Sequence, residues 1–481
     1  MSPPGHERIC HISSVWVDAH KTADDWVIKM SETPIGAIIL AAGKGTRMKS
    51  DLPKVLHSLA GKPMVRHVTD LVERLAPQRI CVVIAPGMAQ VAAAVAPYRT
   101  AIQAEALGTG HAALSAAPEM RDFTGNVFIL FGDTPLITAE TLQAMLSARS
   151  SATSPAVVVL GMRPAGPNAY GRLIQAADGS LERIVEFKDA TDAEKAAPLC
   201  NSGVMLVDGA RLFGWLDQIG NDNAKGEYYL TDIVALARAD GAACAVVEGS
   251  EEELLGINSR VELAAGEAIL QRRLREAAML AGVTMPMPET VYLHCDTRFG
   301  RDVFVGPHTV FGPGVTIGNN VEIKGFCHFE GAKVADGAIL GPYARLRPGA
   351  DIGENAHLGN FVEIKKATIE AGAKVNHLSY IGDARVGAGA NIGAGTITCN
   401  YDGFDKHFTD IGAGAFIGTN TSLVAPVTIG DGAMTAAGST ISRNVPADTL
   451  SIERASEEHK PGWVARFRAR KLRAKQDHAA D

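Results

Sequence analysis

The chain has 481 residues, of which 46% are hydrophobic and 21% charged, with a net charge of −7 and a mean hydropathy of +0.06. At roughly 100–200 residues per domain, this is the composition of a globular protein with several domains, and it excludes general disorder. The mild acidity argues against a nucleic-acid-binding protein, and no apolar run reaches the roughly 18–20 residues of a membrane span. We therefore expect neither a nucleic acid nor a membrane as a partner.

Residues 1–29 show no clear hydrophobic periodicity and lack the layout of a signal peptide. We expect them to form a disordered leader, with the first domain beginning at Met30. The seven cysteines are scattered and include no Cys-x-x-Cys pair, which indicates reduced thiols in a cytoplasmic protein.

From Ile35 to Gly256, apolar runs alternate with helical stretches such as Met64–Leu75. This alternation is typical of βαβ units and predicts an α/β, Rossmann-like domain with an open parallel sheet. The predicted buried strands are Ile35–Leu40, Ile80–Ala85, Val127–Phe131 and Ala156–Leu160.

A glycine-rich turn, Leu40-Ala-Ala-Gly-Lys-Gly-Thr-Arg-Met48, directly follows the first strand, and Leu52-Pro-Lys-Val55 comes soon after it. Backbone N–H groups at such a turn bind phosphates, and Lys44, Arg47 and Lys54 add positive charge. The spacing fits neither the dinucleotide fingerprint nor Walker A. The turn alone therefore leaves two interpretations open, a nucleotide site and a glycine turn without a ligand.

Asp133 follows the predicted strand Val127–Phe131, at the edge of the sheet where ligands bind in open α/β folds. A carboxylate at this edge is suited to holding Mg²⁺, which neutralises phosphate charge during transfer. The alternative is a helix N-cap ahead of Thr134 and Pro135.

Further along the chain, residues Ser259–Ala281 read as one long linker helix. Ser259 and Glu262 have the spacing of a capping box, and Gly282 is a suitable residue to end the helix.

The C-terminal part is organised by glycine, since 25 of the 50 glycines lie between Glu289 and Ile441. Apolar residues recur there with a period of six, which predicts a left-handed parallel β-helix of hexapeptide repeats. A β-sandwich with glycine-rich turns is the alternative. The first members of the series are Phe299, Val305, Phe311, Ile317, Ile323 and Phe329. The series is interrupted at Cys399–Thr409, which we expect to be an extruded loop.

Polar residues also depart from the repeat pattern. Arg347 and Lys365 are eighteen residues apart, one turn of a three-hexad coil, so they should stack and suit an anionic group. His377 lies near them in the repeats, and an imidazole is a suitable general base for an ammonium substrate. The alternatives are solvated surface cations and a structural histidine.

Several motifs together resemble those of a known family. The glycine-rich string resembles the nucleotide-binding signature of sugar-phosphate nucleotidyltransferases. Joined to the hexapeptide repeats, the set resembles the bifunctional N-acetylglucosamine-1-phosphate uridyltransferase/glucosamine-1-phosphate acetyltransferase family from about Ile35 to Arg454. The further matching segments are Gln103–Thr109, Phe131-Gly-Asp133, Tyr170-Gly-Arg172, Ile184-Val-Glu186, Asn201-Ser-Gly203 and Glu227–Asp232.

For the N-terminal site, the resemblance implies Mg²⁺ held by Asp133 and Asn258, with Lys54 and Arg47 stabilising the phosphates. Gly171, Glu186 and Asn201 would recognise the sugar. Phe131 stands where the family often has Tyr. Residues implied for the uridine nucleotide and its sugar are Leu40, Ala41, Ala42, Gly43, Lys54, Gln103, Gly108, Thr109, Gly171, Glu186, Asn201 and Asn258.

For the C-terminal site, the resemblance implies that His377 accepts a proton from the amino sugar. Thr419 replaces the usual Ser of the family. The implied ligands of the sugar phosphate are Arg347, Lys365, Tyr380 and Asn391, and those of acetyl-CoA are Ala394, Asn400, Tyr401, Thr419, Ala437 and Arg454.

The family likeness implies acetylation of glucosamine 1-phosphate by acetyl-CoA, then transfer of UMP from UTP with release of pyrophosphate. The product would feed peptidoglycan, lipopolysaccharide and other cell-wall precursors, and the β-helix would form a homotrimer. One alternative is a nucleotidyltransferase with a regulatory, trimerising β-helix, and another is a non-catalytic sugar-nucleotide sensor.

The expected division of the chain follows from these assignments. We expect a leader at 1–29, a uridylyltransferase domain at 30–258, a linker helix at 259–288, an acetyltransferase β-helix at 289–454 and a basic tail at 455–481. A solvated, disordered end is expected for this tail, with an ordered cover over the acetyl-CoA site as the alternative.

Overall fold

The structure, a computed structural model, describes residues 33–477, and the predicted leader lies outside the described residues. The described chain divides into two compact units. The first comprises residues 33–301 with 307–315, and the second residues 302–306 with 316–477.

The helices of the described residues vary from single turns to one of 21 residues. They are α1 Met64–Glu73, α2 Ala89–Ala94, α3 Thr109–Leu114, α4 Ala117–Met120, α5 Ala139–Arg149, α6 Asp192–Lys195, α7 Gly209–Leu216, α8 Asp232–Ala239, α9 Arg260–Leu280 and α10 Trp463–Asp477. Short 3₁₀ helices span Thr46–Met48, Lys54–Leu56 and Pro288–Thr290.

The N-terminal unit is built on one mixed sheet with the main strand order β11-β7-β10-β6-β1-β4-β5, and β2 and β3 form a separate hairpin. Its strands are β1 Ile35–Leu40, β2 Ser58–Leu59, β3 Lys62–Pro63, β4 Arg79–Ile84, β5 Arg99–Ile102, β6 Asn126–Phe131, β7 Val157–Met162, β8 Arg172–Gln175, β9 Leu181–Val185, β10 Cys200–Asp208 and β11 Cys244–Glu248. The four strands predicted from apolar runs are confirmed to within two residues.

The prediction of a fully parallel sheet was wrong at β10, which runs antiparallel to both β6 and β7. The chain between β7 and β10 forms the β8–β9 hairpin and the four-residue helix α6. A parallel return needs a crossover of a dozen or more residues, usually a helix packed on the sheet, and this segment supplies none.

Both faces of this sheet are covered, as expected for an open α/β sheet. Along β1, Ile38 and Leu40 belong to one apolar cluster, and Ile35, Ala37 and Ile39 belong to another. Because successive side chains point to opposite faces, a strand buried on both sides reads as a continuous apolar run.

The linker helix α9 is confirmed at Arg260–Leu280. The side chain of Ser259 accepts a hydrogen bond from the N–H of Glu262 at 3.3 Å. In a capping box the Glu262 carboxylate would accept from the N–H of Ser259, but here it accepts from the N–H of Asn258 at 2.8 Å. Gly282 follows the helix with a φ of +102°.

The hexad segment forms short strands, of which β12, β13, β14 and β16 fall in the first unit and the others in the second. They are β12 Val283–Thr284, β13 Tyr292–Leu293, β14 Arg298–Phe299, β15 Val303–Val305, β16 Val310–Phe311, β17 Thr316–Ile317, β18 Glu322–Ile323, β19 His328–Phe329, β20 Ala332–Val334, β21 Ile339–Leu340, β22 Arg345–Leu346, β23 Ala350–Ile352, β24 His357–Asn360, β25 Glu363–Ile369, β26 Lys374–His377, β27 Tyr380–Val386, β28 Asn391–Ile392, β29 Ile397–Cys399, β30 Thr409–Ile411, β31 Phe416–Ile417, β32 Ser422–Val424, β33 Val427–Ile429, β34 Met434–Thr435, β35 Thr440–Ile441 and β36 Leu450–Ser451.

In the second unit, these strands stack in parallel columns, for example β18-β21-β24-β26-β28-β31-β34-β36. The apolar hexad residues form the core, and Ile323, Leu340 and Leu358 are fully buried in successive coils. Most of these strands bury an apolar side chain inside the coil, whereas β29 and β34 bury Thr398 and Thr435 there instead. The predicted left-handed parallel β-helix is confirmed.

The interruption at residues 399–409 is extruded between β29 and β30, as predicted. It forms a hairpin in which Tyr401 pairs with Lys406 as an antiparallel bridge.

The prediction of a disordered tail was wrong for Trp463–Asp477, which forms α10. The rings of Trp463 and Phe467, four residues apart, stack at 5.2 Å, and Arg470 lies over Phe467. Such spacing and the abundance of Ala, Arg and Lys favour a helix. Side chains from Trp463 to Gln476 are exposed, so the solvated part of the prediction is retained. Among residues 33–477, no helix has the length and apolar content to cross a membrane.

Candidate active sites

The glycine-rich turn leaves the end of β1 and is held against Lys54. Gly45 has a φ of +62°, and a Cβ atom there would lie 2.5 Å from Cβ of Lys54. Only glycine tolerates both the left-handed conformation and this close approach. The turn therefore stays close to the Lys54 side chain, which is buried.

Lys54, Asp133 and Asn258 converge although they are far apart in sequence. The ammonium of Lys54 forms an ion pair with Asp133 Oδ2 and donates to Asn258 Oδ1 at 2.9 Å. The backbone explains the meeting, because the N–H of Ile257 donates to the carbonyl of Asp133 at 2.9 Å. Two oxygen ligands thus face one point at the end of β6.

This donor set fits Mg²⁺. A carboxylate and an amide oxygen already share one cation, the Lys54 ammonium, so their lone pairs point to a common position. Mg²⁺ is usually held by one or two protein oxygens and takes its other ligands from water and phosphates. Among the described residues, no group of three or more His, Cys, Asp or Glu side chains could hold a metal ion.

A cavity of about 320 Å³ opens over the carboxyl ends of β1 and β6. Lys44, Val55, Ala106 and Glu227 also line it, whereas Arg47 is exposed on the helix Thr46–Met48 and does not. The residues predicted to bind the nucleotide that line this cavity are Leu40, Ala41, Ala42, Gly43, Lys54, Gln103, Gly108 and Thr109, and the predicted metal ligand Asp133 lines it too.

Gln103, Gly108 and Thr109 are fixed against a second segment. The side-chain amide of Gln103 donates to the carbonyl of Gly108 at 3.1 Å. Thr109 Oγ1 accepts from the N–H of Leu230 at 3.1 Å, and Gly110 donates to the carbonyl of Tyr228 at 2.8 Å. The segment 227–231 therefore braces one wall of the cavity.

An adjoining cavity of about 220 Å³ contains Gly171, Glu186 and Asn201, the three residues predicted to recognise a sugar. Thr109 and Phe131 line both cavities. The two spaces are neighbours on the same crevice, as a nucleotide and the sugar it reacts with would require.

The sugar-side cavity is shaped by the bulge of β10. The side chain of Asn201 accepts from the N–H of Gly203 at 3.0 Å, which kinks the strand. Thr231 donates to Glu186 Oε1 at 3.3 Å, and burial raises the pKa of the Glu186 carboxyl. Thr231 lines the cavity but was not predicted as a binding residue. The sequence motif that contains Thr231 was recognised, but its contact with Glu186 joins residues 45 positions apart and could not be read from the motif.

In the second unit, Arg347 and Lys365 are stacked as predicted, because Leu346 pairs with Ile364 in the register of β22 and β25. Arg347 donates to Glu363 Oε1 at 2.9 Å. The Lys406 ammonium lies beside Lys365 and lowers the pKa of that lysine. Lys406 was missed from sequence, because only folding of the extruded hairpin brings it to this stack.

His377 ends β26 and is exposed. Its Nδ1 atom lies 2.8 Å from Oδ1 of Asn360, its partner in the register of β24 and β26. Since an amide oxygen only accepts, Nδ1 is the donor in this contact, and in the neutral ring the lone pair is then on Nε2. This tautomer is the one that a proton acceptor needs. Asn360 was not predicted to have this role.

Tyr380 and Asn391 lie on different faces of the coil. A Cβ atom at Gly382 would lie 2.3 Å from the Tyr380 hydroxyl, so the Tyr380 ring packs directly on this glycine. Gly382 pairs with Lys365 of the preceding coil in the register of β25 and β27. Asn391 lies on β28 and pairs with Lys374 on β26, the strand that ends at His377.

The residues predicted to contact acetyl-CoA fall into two groups. Ala394, Thr419 and Ala437 lie at one corner in successive coils, where the Ala394 carbonyl accepts from Asn420 at 2.7 Å and that of Thr419 accepts from Gly438 at 2.8 Å. Arg454 joins this corner by donating to the carbonyl of Ala437 at 2.9 Å. Asn400 and Tyr401 lie on the extruded hairpin.

Two family models match the chain. Residues 37–190 match the MobA-like NTP transferase domain. Residues 296–331, 331–366 and 408–443 match the bacterial transferase hexapeptide (six repeats). The first match contains the glycine-rich turn, Lys54 and Asp133, and the second lies within the coil.

Curated relatives match nearly the whole chain. The bifunctional protein GlmU of Paramagnetospirillum magneticum is 60% identical over 450 residues, which are 93% of this chain and 100% of the relative. The bifunctional protein GlmU of Rhodospirillum rubrum is 65% identical over 437 residues, 91% of this chain and 98% of the relative. That of Xanthobacter autotrophicus is 52% identical over 93% of this chain and 100% of the relative.

Proposed function

The chain belongs to the family of the bifunctional protein GlmU, and from this premise we propose which of its residues carry each of the two reactions. It is a bifunctional enzyme with nucleotidyltransferase and acetyltransferase activities. It acetylates glucosamine 1-phosphate and then transfers UMP from UTP to the N-acetylated product, releasing pyrophosphate.

The uridylyl transfer is assigned to the crevice at the ends of β1 and β6. The observation that supports this is that Lys54 and Asp133 line one cavity with the glycine-rich turn, while Asn258 accepts a hydrogen bond from Lys54. The turn binds the phosphates through its backbone, and Gln103, Gly108 and Thr109 hold the uridine. Gly171, Glu186 and Asn201 bind the acetylated sugar in the adjoining cavity.

We assign Asp133 and Asn258 as ligands of Mg²⁺, which when bound neutralises phosphate charge. Lys54 stabilises the phosphates from within the cavity, and Arg47 reaches them from its exposed position on the same loop. The sugar-phosphate oxygen attacks the α-phosphorus of UTP, so the chain's task is to orient the two substrates and balance charge. No side-chain nucleophile takes part.

The acetyl transfer is assigned to the coil around His377. Nε2 of His377 accepts a proton from the glucosamine ammonium, and Asn360 holds the ring in the required tautomer. The cations Arg347 and Lys365, with Lys406 beside them, bind the sugar phosphate, and Tyr380 and Asn391 complete that site. Ala394, Asn400, Tyr401, Thr419, Ala437 and Arg454 bind acetyl-CoA.

Both reactions are tested by two assays on the full chain. Thiol release from acetyl-CoA should require glucosamine 1-phosphate, and pyrophosphate release from UTP should require N-acetylglucosamine 1-phosphate. Pyrophosphate release without any thiol release from folded protein would support the alternative, a nucleotidyltransferase with a regulatory β-helix.

A homotrimer is supported by an exposed ladder on the coil, formed by Tyr343, Phe361 and Leu378. The rings of Tyr343 and Phe361 stack at 5.0 Å, and the three residues are 45%, 54% and 61% exposed. A contiguous apolar strip of this kind is typical of an interaction surface. Leu378 directly follows His377, so a neighbouring subunit on the ladder would complete the acetyl-transfer site.

Charging this ladder should dissociate the trimer. We expect Tyr343→Asp with Phe361→Asp to sediment as a monomer and to lose most acetyl transfer, because buried unpaired carboxylates are strongly unfavourable. Uridylyl transfer should be retained. Phe304→Asp, at an aromatic side chain that is 38% exposed outside the ladder, is the matched control and should remain trimeric. A double variant that stays trimeric would contradict this interface.

The division into a uridylyltransferase domain at 30–258, a linker at 259–288, an acetyltransferase domain at 289–454 and a tail at 455–481 is part of the same proposal. The linker is α-helical only at Arg260–Leu280, because β12 follows at Val283–Thr284. We assign the enzyme to the cytoplasm, where UTP and acetyl-CoA are available and where the six cysteines of the described residues remain free thiols.

A further inference from the structure

The extruded hairpin is closed by a pair of side chains, Asp402 and His407. Nε2 of His407 lies 2.7 Å from Oδ2 of Asp402. The pair crosses the bridge between Tyr401 and Lys406 diagonally, with Asp402 on the tip side of the bridge and His407 on the base side. At the base, the N–H of His407 donates to the carbonyl of Asn400 at 2.9 Å. His407 therefore ties both arms together through its backbone and its ring.

Asp402 organises the tip of the same hairpin. Its Oδ1 atom accepts from the N–H groups of Phe404 at 2.8 Å and Asp405 at 2.7 Å. The hydrogen bond from His407, followed by those from the backbone of Asp405 and Phe404, holds the pKa of the Asp402 carboxyl well below its usual range. One carboxylate thus accepts from the turn and from the imidazole together.

The other support of the hairpin is local: the Tyr401 hydroxyl donates to the carbonyl of Gly403 at 2.6 Å, and the N–H of Asp402 donates to the carbonyl of Asp405 at 3.2 Å. Phe404 at its tip is 92% exposed, so no apolar packing anchors the turn within the described chain. Its first arm is attached to the coil where the Asn400 amide donates to Asp383. An isolated two-stranded hairpin is marginally stable in water, so cross-strand side-chain bonds decide whether it keeps one shape.

We propose that Asp402 and His407 are positioning residues for acetyl transfer, which hold the hairpin so that Tyr401 meets acetyl-CoA and Lys406 stays beside Lys365. This inference rests on the proposed function, since it takes the acetyl-CoA role of Asn400 and Tyr401 as given. Neither member of the pair contacts a reacting atom; each acts through the arm of the hairpin that it fixes.

The test is steady-state kinetics of the full-length enzyme. His407→Ala should raise KM for acetyl-CoA about tenfold, because a hydrogen bond to a charged group is lost, and should change kcat much less. His407→Gln should restore most of the affinity, since its side-chain amide still donates to Asp402. Asp402→Ala should have a similar effect, and the double variant should be no worse than the more affected single variant.

The matched control is His328→Ala, which removes another exposed histidine paired with a carboxylate, Glu330 at 3.2 Å, elsewhere on the coil. It should leave both activities unchanged, and uridylyl transfer should be unchanged in every hairpin variant. Additive effects of the two single variants, or an unchanged KM in His407→Ala, would overturn the proposal.

Tyr401→Ala separates this inference from the function on which it depends. If Tyr401→Ala raises KM for acetyl-CoA and His407→Ala does not, the positioning role is wrong and the binding site is retained. If Tyr401→Ala itself leaves KM unchanged, the assignment of the hairpin to acetyl-CoA is wrong.

Discussion

Replacing Asp133 with Asn should lower pyrophosphate release from UTP by at least roughly 10²–10³-fold, the scale of losing one electrostatic contact to a transition state. The variant keeps the size of the side chain and its backbone bond to Ile257, so the end of β6 should hold its shape. It removes the negative charge that Asp133 shares with the Lys54 ammonium. Both Mg²⁺ binding and the placement of Lys54 therefore suffer.

Two measurements connect the loss of activity in Asp133→Asn to Mg²⁺ binding at the N-terminal site. The Mg²⁺ concentration for half-maximal uridylyl transfer should rise in Asp133→Asn, whereas thiol release from acetyl-CoA should match that of the parent enzyme. Asp122→Asn is the matched control, because Asp122 pairs with Arg79 on the surface of the same unit, outside the cavity. A folded Asp133→Asn enzyme that loses both activities would contradict two separate sites.

Much of the N-terminal site could be predicted because its signals are local. The apolar run of β1 and the glycines after it define a strand and a phosphate-binding turn within a few residues of sequence. Asp133 at the end of β6 follows from the same logic. The contact of Lys54 with Asn258 spans 204 positions, and only the recognised family likeness brought Asn258 into the predicted site.

The antiparallel strand β10 illustrates what local patterns miss. Its burial alternates irregularly around the bulge between Asn201 and Met205, so no clean period marks it as a strand. Its direction depends on the path of the chain through the β8–β9 hairpin. Strand direction is a property of the connection and does not show in the composition of the strand itself.

In the coil, the hexad period fixed both the fold and the stacking of Arg347 on Lys365, since the repeat converts sequence distance directly into spatial neighbours. Asn360 also lies beside a residue of the next coil, His377, but the two are seventeen residues apart. That pair was missed because the coil shortens by one residue at this turn, so a strict period of eighteen does not align the two. Lys406 was missed because the hairpin lies outside the repeat altogether.

Replacing His377 with Ala should lower acetyl transfer by roughly 10²–10⁴-fold, the usual range for loss of a positioned acid or base. Binding of glucosamine 1-phosphate should change little, because Arg347 and Lys365 still bind the phosphate. The loss should therefore appear in kcat, with KM for the sugar phosphate nearly constant. Uridylyl transfer from supplied N-acetylglucosamine 1-phosphate should remain at the parental rate.

A related prediction concerns Asn360, whose replacement should lower acetyl transfer less than that of His377. Asn360→Ala leaves the imidazole in place but removes the acceptor that keeps the proton on Nδ1, so part of the population has Nε2 protonated and unable to accept. We expect a smaller loss of kcat than in His377→Ala, and the double variant should resemble His377→Ala alone, since Asn360 acts only through the ring. An enzyme that acetylates at the parental rate without His377 would return the histidine to a structural role. The proton acceptor would then have to be sought at Tyr380, whose hydroxyl rests against Gly382 in the column of Lys365.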